Sequence, residues 1–117
     1  MTTHKEDGLS ELSVRQLRDR RRRAARRAPD LETVIAGSLQ NQRRRCGKEG
    51  CRCARGELHG PYLYLSLRVG RRTQMVYVPA ELADEVGQAV TANAEAQAAL
   101  AEISAINMEL LRRGKLG

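Results

Sequence analysis

Three cysteines and one histidine lie close together in this chain and could hold a metal ion. Their spacing is C-x4-C-x-C-x5-H, and the three thiols are the only ones in the sequence. Structural zinc takes four thiolate or imidazole ligands in a tetrahedron, and three thiolates with one imidazole are a common set. The spacing predicts one structural Zn²⁺ per chain, although iron accepts similar ligands, and the predicted ligands are Cys46, Cys51, Cys53 and His59. His4, far from this cluster, is not expected to bind metal.

The same segment offers little for catalysis. A catalytic zinc keeps one position open for water and has a general base nearby, whereas four protein ligands already fill the predicted shell. The nearest carboxylates, Glu49 and Glu57, lie among basic residues. Nothing in the sequence supplies an oxyanion hole for a cysteine nucleophile. We therefore expect a binding protein and not an enzyme.

Positive charge surrounds the cysteines and also fills the segment before them. The 117 residues include 21 Lys and Arg against 14 Asp and Glu, for a net charge of +7, and 18 of the 21 are arginine. Guanidinium groups bond phosphate in a forked geometry and stack on bases, which favours a nucleic-acid partner. A GC-rich genome and a solvated helix face would give a similar composition. The candidate contact residues are Arg15, Arg18, Arg20, Arg21, Arg22, Arg23, Arg26, Arg27, Arg43, Arg44, Arg45, Lys48, Arg52, Arg55, Arg68, Arg71 and Arg72.

The composition also limits the setting and the size of the core. No apolar run is long enough to span a membrane, and the first residues lack the apolar segment of a secretory signal. We therefore expect a cytoplasmic protein, nucleoid-associated if it binds DNA, whose cysteines stay reduced. With no Trp, no Phe and three Tyr, the core must be thin. Such small domains depend on a metal, a partner or both.

The elements that position these residues divide the chain into four segments. Residues 1–12 are expected to form a flexible tail, and residues 13–37 a basic helical arm. Residues 38–79 are expected to hold a zinc knuckle and a β-hairpin, and residues 80–113 a long acidic and apolar dimerisation helix. The predicted class is α+β: basic N-terminal helices, a small zinc-stabilised β-hairpin or three-stranded sheet, and a long C-terminal helix that self-associates.

Local signals define the arm and the hairpin. Ser13 and Gln16 have capping-box spacing, which predicts a helix over about 14–27. A second short helix is predicted over 31–36, ended by the following glycine. Residues 38–45 are ambiguous between helix and strand, and we favour a strand.

Residues 61–79 predict a β-hairpin with its turn at residues 70–71. This register pairs Tyr64 with Tyr77 and collects aliphatic side chains on one face and tyrosines on the other, a sorting that a shift of one residue would destroy. The tyrosines could stack bases. They could equally form a core under a packed helix, and we slightly favour the core.

The long helix is predicted to begin at Pro79, in its first position, and to continue to about Arg113. Steps of four and three residues define a stripe with Asn93 and Asn107 at two a positions of a heptad. A buried Asn at such a position fixes the register of a parallel pair; antiparallel pairing, a heteromeric partner helix and packing on the hairpin remain alternatives. The predicted dimerisation residues are Leu82, Val86, Asn93, Leu100, Ile103, Asn107 and Leu110.

Several short strings in the chain are distinctive. They are C-G-K-x-x-C-x-C at 46–53 and H-G-P-Y at 59–62, with G-S-L at 37–39 and Y-V-P at 77–79. With these strings the chain resembles a family of small, poorly characterised bacterial proteins often encoded beside transposases and other mobile elements. The resemblance implies a zinc-knuckle-like module and a mobile-element context, and it implies no activity.

Together these features favour a zinc-stabilised DNA-binding protein that is dimeric and linked to mobile-element or regulatory functions. Its arginines would hold phosphates and its basic hairpin turn would enter a groove. Two alternatives stay open. One is an RNA-binding protein. The other is an interaction module whose acidic C-terminal helix docks a transposase, recombinase or toxin while zinc only holds the fold.

Overall fold

A computed structural model describes residues 5–27, 29–45, 47–52, 56 and 58–117, with the backbone alone at 5–7 and 44. In these residues the chain is α+β, with two α-helices and a three-stranded antiparallel sheet, which confirms the predicted class. The helices are α1, Val14–Arg26, and α2, Ala83–Arg112; the strands are β1, Gly37–Arg44, β2, His59–Val69, and β3, Arg72–Tyr77.

Contacts divide the chain into two compact units. Unit 1 comprises Met1–Glu32 and Ala92–Gly117, and unit 2 comprises Thr33–Thr91. Helix α2 therefore begins in unit 2 and continues in unit 1. Among the described residues, no helix combines the length and the apolar character needed to cross a bilayer.

The start of α1 is fixed by its sequence. The Ser13 hydroxyl accepts a hydrogen bond from the Gln16 N–H at 3.0 Å, and the Gln16 side chain accepts one from the Ser13 N–H at 2.8 Å. This reciprocal capping box satisfies two backbone donors that the first turn of a helix leaves open. The capping prediction is confirmed.

The residues before α1 differ from the expected flexible tail. Lys5–Glu11 is a 3₁₀ helix, and Leu9 within it is buried. Leu9 packs with Leu17 of α1 and with Ile106 and Leu110 of α2 in the core of unit 1. Burial of a leucine side chain is worth about 1.5–3 kcal/mol, which supplies a reason for this segment to be ordered.

A single guanidinium holds this 3₁₀ helix to the end of α2. Arg113 donates to the carbonyl oxygens of Leu12 at 2.6 Å, and of Leu9 and Ser10 at 3.1 Å each. Its Nε also donates to Glu109 at 2.9 Å. The Leu9 carbonyl also accepts from the Leu12 N–H at 3.1 Å, so the guanidinium adds a second bond there.

The sheet of unit 2 has the strand order β1-β2-β3. Val69 pairs with Arg72 and Tyr64 with Tyr77, so the predicted hairpin register and turn are confirmed. The favoured strand at 38–45 is also confirmed, because β1 pairs with β2 over most of its length.

The predicted helix at 31–36 is wrong in extent. Only Leu31–Thr33 forms a 3₁₀ turn, after which the Ile35 N–H donates to the Ala89 carbonyl of α2 at 3.1 Å. Gly37 begins a strand instead of ending a helix. A Cβ at this position would lie 2.7 Å from the Ser66 carbonyl oxygen, so the glycine permits close approach of β1 to β2.

The start of α2 departs from the sequence expectation by a few residues, whereas its end at Arg112 lies within one residue of the predicted end. Pro79 is not the first helical residue: it precedes the 3₁₀ turn Ala80–Leu82 with an extended ψ of 149°, and the α-helix starts at Ala83. At the other end, the Lys115 N–H donates to the Leu110 carbonyl at 2.8 Å and Gly114 has a φ of +67°. This is a Schellman motif, which requires a left-handed residue that glycine supplies.

Candidate metal centre and nucleic-acid interface

The predicted zinc ligands belong to the connection between β1 and β2. Arg44, at the end of β1, pairs with His59, at the start of β2, and the register shifts between Gln42 and Arg44. The strand pairing therefore joins both ends of this long connection at one end of the sheet.

Two of the predicted ligands lie in contact. The Cys51 Sγ and the His59 Nε2 are 3.1 Å apart. Two such donors on one tetrahedral zinc lie about 3.5 Å apart, given Zn–S and Zn–N bonds of about 2.3 and 2.0 Å. The donor set and this separation therefore fit a zinc ion. Cys46 and Cys53, the other two predicted ligands, lie outside the residues that the structure describes. Within the described residues, no group of three or more potential metal ligands occurs.

The residue after His59 has to be glycine. Gly60 has a φ of +110°, and a Cβ there would lie 2.7 Å from the Gln42 carbonyl oxygen and 2.9 Å from the Tyr62 nitrogen. No side chain fits between the two strands at this point. Gly60 thus lets β2 approach β1 directly beside the histidine.

The arginines of α1 divide into two groups, and the first is bound to the chain's own C-terminal segment. Arg18 donates to the carbonyl oxygens of Lys115 and Gly117 at 3.1 Å each. Arg21 donates to the Asn107 side chain at 2.8 Å and to the Leu116 carbonyl at 3.2 Å.

Two further arginines, one in α1 and one directly after it, share one carboxylate of α2. Glu102 of α2, with a largely buried side chain, lies 2.9 Å from Arg27 and 3.7 Å from Arg20. Four of the predicted phosphate-binding residues, Arg18, Arg20, Arg21 and Arg27, therefore already have partners within unit 1.

The second group faces solvent along one side of α1. Arg15, Arg22 and Arg26 recur at intervals of seven and four residues, and they are exposed together with Arg23. Such spacing places side chains in one stripe about 16 Å long. Arg22 lies 3.6 Å from Asp19, and both side chains remain at least half exposed. We call these four residues the arginine stripe.

In unit 2 the described cations are exposed. They lie on β1 and the following loop and at the hairpin turn: Arg43, Arg45, Lys48, Arg52, Arg68, Arg71 and Arg72. The side chain of Arg44 and the whole of Arg55 lie outside the described residues. In sequence, these cations lie before and within the connection from β1 to β2 and at the tip of the hairpin.

The two faces of the sheet are different. On the aliphatic face Leu65 and Val78 are buried, and Gly87 of α2 approaches Leu39. The opposite face, which we call the tyrosine face, contains the three tyrosines, with Tyr62 38 % and Tyr77 52 % exposed. The favoured interpretation of the tyrosines as a core under a helix is therefore wrong.

Sequence reasoning missed two neighbours of the tyrosines. Gln40 and Gln42 of β1 lie opposite Tyr64 and Tyr62 of β2, so their side chains share the tyrosine face. The signal in the sequence was Ser38, Gln40 and Gln42 at alternate positions of a strand. Which face of the sheet they occupy depends on the partner strand and its register.

The predicted dimerisation residues lie in different surroundings along α2. Leu110 is fully buried in unit 1 and Asn107 bonds to Arg21, whereas Leu82 and Leu100 are exposed. Val86, Asn93 and Ile103 are half-buried. Met108, an exposed apolar residue of α2, was missed; with the exposed Leu100 and Leu111 it recurs at helical spacing. Self-association stays a prediction.

Comparison with known proteins places the chain in a family. Residues 14–88 match the model of a domain of unknown function, DUF6788. This match covers more than half of the chain, which therefore belongs to that family. No curated protein and no solved structure shows a significant match.

Proposed function

We propose that this protein is a zinc-stabilised nucleic-acid-binding protein of the cytoplasm, with DNA as its main partner and a role in mobile-element or regulatory processes. The observation that carries the proposal is the arginine stripe, together with the exposed cations of unit 2. Solvent-facing guanidiniums in one row are suited to phosphates on a nucleic-acid backbone.

The metal has a structural role in this proposal. Cys51 and His59 supply two ligands, and Cys46 follows, by two residues of sequence, the strand end that pairs with His59. Zinc supplies the cross-link that a thin core lacks. The loop it holds carries Lys48 and Arg52, so metal binding orders cations as well as backbone.

Contacts between arginine and phosphate give affinity but little preference for a base sequence. Phosphate contacts position a protein, and base edges specify the site. The residues suited to base reading are Arg71 and Arg72 at the exposed hairpin turn, because arginine forms paired hydrogen bonds with guanine in the major groove.

The test is anisotropy of labelled double-stranded DNA with the full chain at about 50 and 200 mM salt. We expect a steep loss of affinity with salt. The double variant Arg22→Gln with Arg26→Gln removes two phosphate contacts and should lower the slope of log K against log salt by about 1.8.

The matched control is Arg112→Gln with Lys115→Gln, which removes the same charge away from the arginine stripe. It should shift affinity less and leave the slope nearly unchanged. An equal effect in both double variants would mean that net charge alone drives binding. Absence of binding at the lower salt would overturn the proposal.

The alternative of an interaction module keeps one specific support. Leu100, Met108 and Leu111 on α2 are 60 %, 53 % and 61 % exposed, and this apolar side is free to meet a second copy or a protein partner. The double variant Leu100→Gln with Leu111→Gln should reduce self-association in light scattering. Leu31→Gln, at a residue equally exposed, is the control; a mass that is monomeric for all three proteins would contradict a homodimer.

A further inference from the structure

The tyrosine face of the sheet is an exposed aromatic surface with a particular geometry. The Tyr77 ring lies between the other two, with centroid distances of 6.4 Å to Tyr62 and 5.8 Å to Tyr64. The rings meet edge to face, at interplanar angles of 69° and 68°. In this arrangement no ring is stacked flat on another, and Tyr62 and Tyr77, which are 38 % and 52 % exposed, keep part of their ring surface accessible to a ligand.

Apart from the exposed Met75 of β3, the groups around the rings are polar or cationic. Gln40 and Gln42 share the face by their register with β2. Arg68 shares it by alternation from Tyr64, and it is exposed. The three strands contain no Asp or Glu. A partner of this face should therefore be anionic and should present flat apolar rings.

We propose that the tyrosine face binds unpaired bases of a single-stranded nucleic acid. The inference rests on the proposed function and adds a second binding surface to it. The two exposed tyrosines, Tyr62 and Tyr77, each offer a ring to one base, the exposed Gln40 amide offers donors and an acceptor to base edges, and Arg68 contacts the backbone. Stacking of this kind tolerates any base, because every base has a π face.

A duplex does not fit this surface. In double-stranded DNA the faces of the bases are covered by their neighbours, and only edges are exposed in the grooves. Single strands expose the faces, and aromatic side chains on a small sheet stack on them. The arginine stripe lacks aromatic residues and suits backbone phosphates of either form. The two surfaces therefore predict different ligand preferences in one chain.

The composition of the chain makes this surface directly observable. The protein has three tyrosines and no tryptophan, and all three tyrosines lie on this face. Intrinsic fluorescence of the full chain therefore reports on the proposed site alone. Titration with oligo(dT) or oligo(rU) of about 10 nucleotides, within the known range of such sites, should quench it. An abasic phosphodiester of equal length and charge should not, after correction for absorbance.

Substitutions at Tyr77 separate stacking from charge. Tyr77→Ala should weaken binding of the oligonucleotide about tenfold, the loss typical of one stacked base, whereas Tyr77→Phe keeps the ring and should stay within about twofold of the parent. Because Tyr77 is half exposed, both variants should fold, and matching thermal unfolding curves check this. Affinity for double-stranded DNA is measured on the same variants and should not change.

The outcomes distinguish this inference from the proposed function on which it rests. Quenching by the oligonucleotides, with the loss in Tyr77→Ala and not in Tyr77→Phe, supports the inference; the tighter of oligo(dT) and oligo(rU) identifies DNA or RNA as the source of the bases. If Tyr77→Ala leaves the affinity for the single strand unchanged while the protein still binds duplex DNA, the inference is overturned and the proposed function is not. Failure to bind either form overturns both.

Discussion

Unit 1 and unit 2 use similar side chains in opposite ways. In unit 1, four arginines point to the chain's own carbonyl, amide and carboxylate groups, around a core in which Leu17, Ile106 and Leu110 are fully buried. In unit 2 the described cations are exposed, and the sheet buries little beyond Leu65 and Val78. Unit 1 thus closes its own core, whereas unit 2 leaves aromatic and basic groups facing outward.

The contrast shows that the number of basic residues in a segment does not measure its binding surface. The arm has eight arginines in 13 residues, but four of them bind groups of the C-terminal segment in unit 1 and a fifth, Arg22, lies beside Asp19. The sheet has fewer cations, and they are exposed. Because the sheet buries few apolar side chains, unit 2 needs another source of stability, which the proposed metal would supply.

The largest expected effect is on unit 2 and follows from removal of a zinc ligand. Cys51→Ser or His59→Ala should abolish stoichiometric zinc and unfold the sheet, because binding of structural zinc provides about 10–16 kcal/mol in small domains. Atomic absorption measures the metal and circular dichroism the strands. His4→Ala, at the only other histidine, should keep one zinc per chain. Full zinc content in the Cys51 variant would contradict the predicted ligand set.

The next effect is on unit 1 and is independent of metal. Leu17→Ala removes a fully buried side chain and should lower the free energy of unfolding by about 2–5 kcal/mol. Leu100→Ala is the same change at an exposed position of α2 and should cost less than about 0.5 kcal/mol. Urea titration of the zinc-loaded protein compares the two. Equal losses would mean that the core of unit 1 is elsewhere.

A smaller effect is expected when two paired arginines of unit 1 lose their partner and become exposed, like the cations of unit 2. Glu102→Gln keeps the shape of the side chain but removes the charge that binds Arg20 and Arg27. We expect a loss of about 1 kcal/mol, since these partners are partly exposed, and a few-fold gain in DNA affinity at low salt, since two guanidiniums become available. Glu95→Gln, the same charge change on the same helix, is the control. Equal gains in both variants would point to net charge only.

The smallest effect concerns pH. The hydrogen bond from Arg113 holds the pKa of Glu109 below its ordinary value of 4.5, aided by the positive charges of Arg113 and Arg112. Because the pKa is lower in the folded state, this contribution to stability is present above pH 4.5 and disappears as the pH falls through the folded value. Glu109→Gln should therefore melt below the parent at pH 7, and the gap should shrink in acid. A gap that stays constant with pH would contradict the ion pair.

Sequence reasoning succeeded where a signal is local. The capping box of Ser13 and Gln16 involves residues three apart, and the hairpin register follows from alternation within one segment. It failed where the outcome depends on distant partners. The alternating pattern of β2 and β3 has aliphatic residues on one face and aromatic residues on the other, so it could not tell which face a helix covers.

The same limit applies to the candidate sites. The donor spacing assigned Cys51 and His59 to one site, and the structure brings these two side chains into contact, whereas the zinc ion itself stays a prediction. The division of the arginines could not be predicted, because it depends on where Glu102 and the C-terminal carbonyls lie in the fold. The 3₁₀ helix before α1 was missed for a related reason: Leu9 gains its burial from residues about a hundred positions later in the chain.

Unit 1 is built from two stretches that lie far apart in the sequence. This separation affects the order in which the two units can fold during synthesis. Unit 2 is one continuous stretch and can fold as soon as it leaves the ribosome, but unit 1 must wait for Ala92–Gly117. Arg27 and Glu102 are 75 residues apart, an interval of about 4–15 s at ordinary rates of translation. Until α2 and the residues after it are complete, Arg18, Arg21 and Arg27 lack the partners that they have in the folded unit and remain in solvent.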